Sequence, residues 1–145
     1  MARLDLSKTA AEPYANFLQA DAAIQEGPLD ATVRELVKLR VSQINGCVFC
    51  VDKHSREALE LGEDQDRLLQ LPVWQESELF DERERAALTY AEAATRREHI
   101  TDELWDSLRA AFPDEAELGH PVAQVALINA FNLIAMPLEK RPPRR

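Results

Sequence analysis

Cys47-Val48-Phe49-Cys50 is the stretch of this chain with the most chemistry in it, and His54 follows one helical turn later. The chain has two cysteines in all, so both belong to this motif. On a helix, two thiols at i,i+3 spacing can form a disulfide or share a metal ion. His54 falls on the same face, within reach of Cys50, and can take its proton. Glu35 lies upstream in a separate helical segment. A carboxylate facing an imidazole orients the ring and stores a proton. Two thiols, an imidazole and a carboxylate together point to proton-coupled thiol redox chemistry.

Those side chains need helices to position them, and the pattern is helical throughout. Glycine is scarce, with four residues, and no stretch sustains strand alternation. A first helix is predicted over Ala10–Ile24, ending before Gly27-Pro28. A second runs from Asp30, its cap, to Ile44, with Val33, Leu36, Val37, Leu39 and Ile44 as an apolar stripe. Asn45-Gly46 breaks it, and a third helix runs from near Cys47 to before Gly62. The turn allows Glu35 to fold back against the cysteine helix. On spacing alone, Glu35 reads first as a solvent carboxylate or a partner of Arg34 or Lys38. Placing the pair at a helix start favours a thiolate, most of all at Cys47.

Further along, Leu68–Leu71 form a short helix that Pro72 is expected to stop. Asp81 and Glu84 form a capping box for a helix over Glu82–Ala94, and Thr101 caps another that reaches Phe112. His120-Pro121 is expected to open the last helix, which is apolar around nearly its whole circumference. Such a helix reads as part core and part subunit interface. Asn129 and Asn132 interrupt it and need hydrogen-bond partners if buried. The whole chain, 1–145, reads as one domain with its core over 10–138, and 139–145 as a fraying end.

A net charge of −9 disfavours binding to nucleic acid or to an anionic membrane, since both need phosphate neutralisation. No apolar leader follows Met1, and the apolar run Val125–Met136 reads as too short and too polar to cross a bilayer. The expected compartment is the cytoplasm, where a close cysteine pair is redox-active or metal-bound rather than a structural staple. Half a zinc site remains an alternative, with Cys47, Cys50 and His54 as local ligands. His99 reads as a surface residue and His120 as a turn residue.

The stretch Arg34–Cys50 with His54 resembles the AhpD-like branch of the carboxymuconolactone decarboxylase family, as do Phe80–Leu88 and Ile128–Asn132. The resemblance implies an all-α, AhpD-like helical bundle with the CxxC at the N-terminus of a central helix. It implies a homo-trimer or homo-hexamer that reduces organic hydroperoxides without a metal or other cofactor. In that scheme Cys50 attacks the peroxide and Cys47 resolves the sulfenic acid as a disulfide and exchanges with an external dithiol, either a lipoylated or a thioredoxin-like protein. His54 and Glu35 relay protons. Phe49 stands where the best-known members carry a histidine. Two other readings are a lyase acting on a small lactone acid with His54 as base, and a non-enzymatic helical oligomer that senses redox state or binds zinc.

Overall fold

The computed structural model describes residues 2–145. Among them, eight α-helices and no strand follow one another: α1 (Leu6–Thr9), α2 (Ala11–Glu26), α3 (Ala31–Asn45), α4 (Val48–Glu60), α5 (Gln65–Gln70), α6 (Glu82–Thr95), α7 (Asp102–Ala111) and α8 (Glu115–Ala135). A 3-10 helix, Leu71–Glu76, continues from α5. The all-α expectation holds.

α3 is the helix around which the others pack. The Asp30 carboxylate accepts the Thr32 N–H at 2.8 Å and starts it. One stripe, Val33, Val37 and Val41, packs with Ala87 and Ala91 of α6, with Leu108 and Phe112, and with Leu118, Val125 and Ile128 of α8. A second, Leu36 and Leu39, packs with Leu71, Trp74, Phe80 and Leu88. With two faces in use, α3 also buries Arg34, Glu35 and Lys38. α4 covers the side that carries them.

The caps at Asp81 and Thr101 form as the sequence predicts. Asp81 accepts the Glu84 N–H at 2.8 Å, Glu84 accepts the Asp81 N–H at 2.9 Å, and Thr101 accepts the Leu104 N–H at 3.1 Å. Pro72 stops the short α-helix as expected: α5 closes at Gln70, and a 3-10 turn follows in which Val73 leaves the helical region at φ −124°. Three boundaries differ: α1 is an additional turn, α5 begins at Gln65 rather than Leu68, and α8 begins at Glu115. His120-Pro121 therefore does not open the last helix. Asp114 caps it through the Ala116 N–H at 2.9 Å, and Pro121 lies inside α8, where only one early hydrogen bond is lost. α8 therefore has 21 residues and is long and apolar enough to cross a membrane by length and composition. In this fold it packs along α3 with Leu118, Val125, Ile128, Asn132 and Ala135 buried. Leu133 projects outward, 66% exposed.

The turn between α3 and α4 sets the register of the cysteines. Gly46 adopts φ +74°, the left-handed conformation that glycine takes at least cost. Its N–H donates to the Gln43 carbonyl at 3.2 Å, and the Cys47 N–H donates to Ser42 at 3.0 Å. Asn45 donates to Asn129 and Asn132, both at 2.9 Å, and Asn132 donates to the Ser42 hydroxyl at 3.1 Å. The amides on α8 thus have structural partners and clamp the end of α3. Beyond α8, Leu138 O accepts the Arg3 N–H at 2.8 Å, and Arg145 reaches Asp52 of α4 at 3.1 and 3.2 Å. Residues 139–145, read from composition as a fraying end, carry no helix, but Glu139 pairs with Arg3, Lys140 N–H donates to the Ala135 carbonyl and Arg145 pairs with Asp52.

A Cβ at Gly46 meets no atom within 4 Å, so a substitution there costs only backbone strain. Gly46→Ala is expected to destabilise the fold by about 1–2 kcal/mol, and Gly46→Asn by less. Urea unfolding of the three proteins checks the order; equal midpoints would contradict it.

Candidate active site

Cys47 is the N-cap of α4, and its Sγ accepts the Cys50 N–H at 3.3 Å. The sulfur therefore takes up one of the unpaired donors at the helix start, where negative charge is favoured. Cys47 and Cys50 are joined by a disulfide, with their Cα atoms 5.3 Å apart. Both residues are buried against Ala135 of α8. They differ in what they face: Cys50 lines a pocket of about 130 Å3, whereas Cys47 is not part of its wall.

His54 lines the same pocket, one turn after Cys50 on α4. Its Nδ1 lies 3.0 Å from Glu57 Oε2 and 3.6 Å from Glu35 Oε2. The first contact is a hydrogen bond and the second a charge contact beyond hydrogen-bond reach. Among the described residues the acceptors all lie on the Nδ1 side, which places a proton on Nδ1. The neutral ring then keeps Nε2 as its lone-pair base. Glu35 comes from the opposite helix and is held through its other oxygen by Lys38 Nζ at 3.2 Å and Arg34 Nε at 3.6 Å. Lys38 Nζ also lies 3.6 Å from Asp21 of α2. Glu35 therefore combines both sequence readings: it pairs with Arg34 and Lys38 and it faces the imidazole.

The electrostatics follow from this packing. Burial alone would push the His54 imidazole down, but Glu35 and Glu57 outweigh it and raise it above its ordinary 6.5. Burial pushes the Glu35 carboxyl up, yet His54 and Lys38 bring it below the usual carboxylate range. Contact with His54 first, and with Lys53 as well, lowers Glu57 to about 2. For folding, the raised His54 stabilises fully below pH about 6.5, and this is lost as pH rises through its folded midpoint. The lowered Glu57 acts in the opposite window, stabilising above its ordinary value of 4.5 and losing that contribution as pH falls towards 2.

Of the four residues singled out from the sequence, Cys50 and His54 share the pocket wall, Glu35 faces His54 from α3 without lining that pocket, and Cys47 is bonded to Cys50 outside it. Sequence reasoning missed three others: Glu57, Lys38 as a pocket residue, and Gln124 of α8, which also lines the pocket. Glu57 stands at i,i+3 from His54, a spacing that could have found it. Gln124 carries no such signal. His99 is exposed, and His120 Nδ1 lies 2.7 Å from the Ala116 carbonyl within α8, so neither joins the site. Glu35, His54 and Glu57 offer three ligand atoms within 4.8 Å of one another. Lys38 on Glu35 and Lys53 on Glu57 already neutralise both carboxylates, so the cluster suits proton handling better than a cation.

The chain belongs to the carboxymuconolactone decarboxylase family, whose sequence pattern matches residues 9–93. It is 31% identical to the uncharacterized protein YdfG of Bacillus subtilis over 141 residues, 96% of this chain and 95% of that one. Its structure resembles that of an Agrobacterium tumefaciens protein of unknown function, for which the role of antioxidant defence protein AhpD has been suggested. The TM-score is 0.94 at 31% identity over the full length of both chains. The debrominase Bmp8 shares the fold, with a TM-score of 0.81 at 20% identity over 92% of this chain and 74% of that one. An AhpD-like fold is thus established, and the reaction has to be argued from the site itself.

The geometry predicts that the His54 ring titrates above 6.5 in the wild type, and that Glu57→Gln moves the midpoint down by removing a charge beside Nδ1. NMR of the imidazole protons across pH measures both. A midpoint unmoved by the substitution would mean that Glu57 does not hold the ring.

Proposed function

We propose that this protein is a thiol-dependent peroxidase that reduces small organic hydroperoxides through Cys50 and Cys47, with His54, Glu35 and Glu57 managing the protons. One observation carries the reading: of the two bonded sulfurs, Cys50 shares a pocket wall with an imidazole whose Nδ1 is held by carboxylates. In the reduced protein His54 Nε2 takes the Cys50 proton. The thiolate attacks the terminal peroxide oxygen, the O–O bond breaks, and the alkoxide leaves with the proton returned by His54. Cys50–SH and ROOH become Cys50–SOH and ROH. Glu35 and Glu57 stabilise the imidazolium between these two transfers.

Cys47 then attacks the sulfenic sulfur, releasing water and forming the disulfide. An external dithiol completes the cycle. Its first thiolate attacks Cys50 Sγ, the sulfur on the pocket wall, and Cys47 leaves as a thiolate stabilised at the start of α4. The second thiol of the reductant then displaces Cys50. The family scheme had Cys47 exchanging with the reductant; pocket access favours Cys50 for this step as well.

The reading includes a cytoplasmic location, where dithiols recycle, and a homo-oligomer that covers the outward face of α8 around Leu133. Light scattering is expected to give a mass of three or six chains, and a monomer would remove that part.

Consumption of tert-butyl hydroperoxide with dithiothreitol tests the chemistry. Cys50→Ser is expected to abolish turnover. Cys47→Ser is expected to stall with a sulfenic acid at Cys50, seen as a dimedone adduct in the mass spectrum. Equal rates in the wild type and both variants would end the proposal.

A further inference from the structure

Beside Tyr14, Asp21, Lys38 and Lys53, the wall of the pocket over Cys50 holds Gln124 and Lys140, which the peroxidase cycle also leaves unused. Gln124 of α8 is 1% exposed and lines the pocket, yet its Oε1 has no hydrogen-bond partner among the described residues. A buried amide oxygen without a partner is held at a cost to stability, and a ligand donor or a water bound in the pocket removes that cost. The second group is Lys140. Lys38 is paired with Glu35 and Asp21, and Lys53 with Glu57, but Lys140 makes no ion pair among the described residues. Its ammonium lies 4.2 Å from the centre of the Phe49 ring, and it borders the pocket.

The position of Lys140 is fixed from both sides. Its N–H closes on the Ala135 carbonyl at 2.9 Å, Leu138 is tied to Arg3, and Arg145 is tied to Asp52. Tyr14, Ile134, Ala135 and Lys140 also border a wider groove against residues 2–8, so Lys140 stands where the pocket opens. The ring of Phe49, at the position where the best-known family members carry histidine, holds the cation there. Leu18, Phe49, Phe131 and Ile134 supply apolar wall. The pocket volume, about 130 Å3, is close to that of an engineered cavity that accommodates benzene, roughly 150 Å3.

We infer that the pocket selects a small organic hydroperoxide bearing a carboxylate: the carboxylate meets Lys140 at the mouth, the apolar body lies against Phe49 and its neighbours, and the peroxide reaches Cys50 beside the Gln124 amide. This deepens the peroxidase reading and rests on it for the reacting group. A single ammonium without a guanidinium beside it suits a carboxylate better than a phosphate, which favours forked or multiple donors. On a chain of net charge −9 an unpaired cation at a pocket mouth is also a local exception to the field that an anion meets.

The test compares tert-butyl hydroperoxide with β-hydroperoxyisovalerate, the same tertiary peroxide with a carboxylate on one methyl group. The ratio of the two kcat/KM values is expected to favour the carboxylate in the wild type. Lys140→Met, which keeps the apolar stem on Phe49, is expected to lower that ratio by about five- to tenfold, and Lys140→Arg to restore most of it. Gln124→Leu is expected to raise KM for both peroxides while raising the thermal midpoint by about 2–4 °C, because the unpartnered amide is gone. A ratio equal in the wild type and Lys140→Met overturns the inference, as does an unchanged KM in Gln124→Leu. If neither peroxide is turned over, the peroxidase reading fails by itself. The pocket is then judged by NMR titration of Cys50→Ser with β-hydroxyisovalerate and tert-butanol. Tighter binding of the carboxylate that Lys140→Met abolishes upholds the selectivity, and equal binding rejects it.

Discussion

Glu35 is a carboxylate buried in the most enclosed helix of the fold, with Lys38 and Arg34 on one of its oxygens and the His54 ring facing the other. Taking these charges out of water costs several kcal/mol for each ion, and only close opposite charges repay it. Removing one partner would strand the rest. The cluster thus fixes how α3 and α4 meet: any slide of one helix along the other would separate Glu35 from His54 while leaving both buried. The register of the redox pair and the proton state of the imidazole share this one constraint.

Around that constraint the fold is built to hold a turn. Gly46 takes the left-handed conformation, and Asn45 is fixed by two amides from α8, so the chain reverses within two residues and Cys47 becomes the cap of α4. The cap role and the pocket role then fall to different sulfurs. Cys47 receives the helix-end N–H, which favours it as a leaving thiolate, and Cys50 faces the pocket and the imidazole. A single i,i+3 motif is divided in this way between a helix cap and a pocket wall. On the proposed peroxidase cycle these are the resolving and the attacking positions, and the sequence argument for Cys47 as the more acidic thiol and the family scheme of Cys50 as the attacker become two halves of that cycle.

Much of this was legible in the sequence because it is local. Asp30, Asp81 and Thr101 cap through bonds to N–H groups two or three residues away, and Gly46 ends a helix by its own backbone freedom. Where two local signals competed, the reading failed. Proline at 121 marks a helix start, but Asp114 provides a better cap one and a half to two turns earlier, and an early proline is tolerated inside the helix. Glu57 was within reach of the same local logic, since i,i+3 from a histidine is a contact spacing.

Types and spacings along the chain settled the all-helical class, the place of the cysteine pair at a helix start, and the face shared by Cys50 and His54, because a helix has a fixed period and its caps are short-range. The pairing of Glu35 across a turn, the choice of Cys50 over Cys47 as the sulfur on the pocket wall, and the meeting of Gln124 and Lys140 at that pocket were decided only in three dimensions. Cys50 and Lys140 are 90 positions apart in the chain and Glu35 and Lys140 are 105 apart, and no periodicity connects helices that come together through packing and the pairing of buried charge.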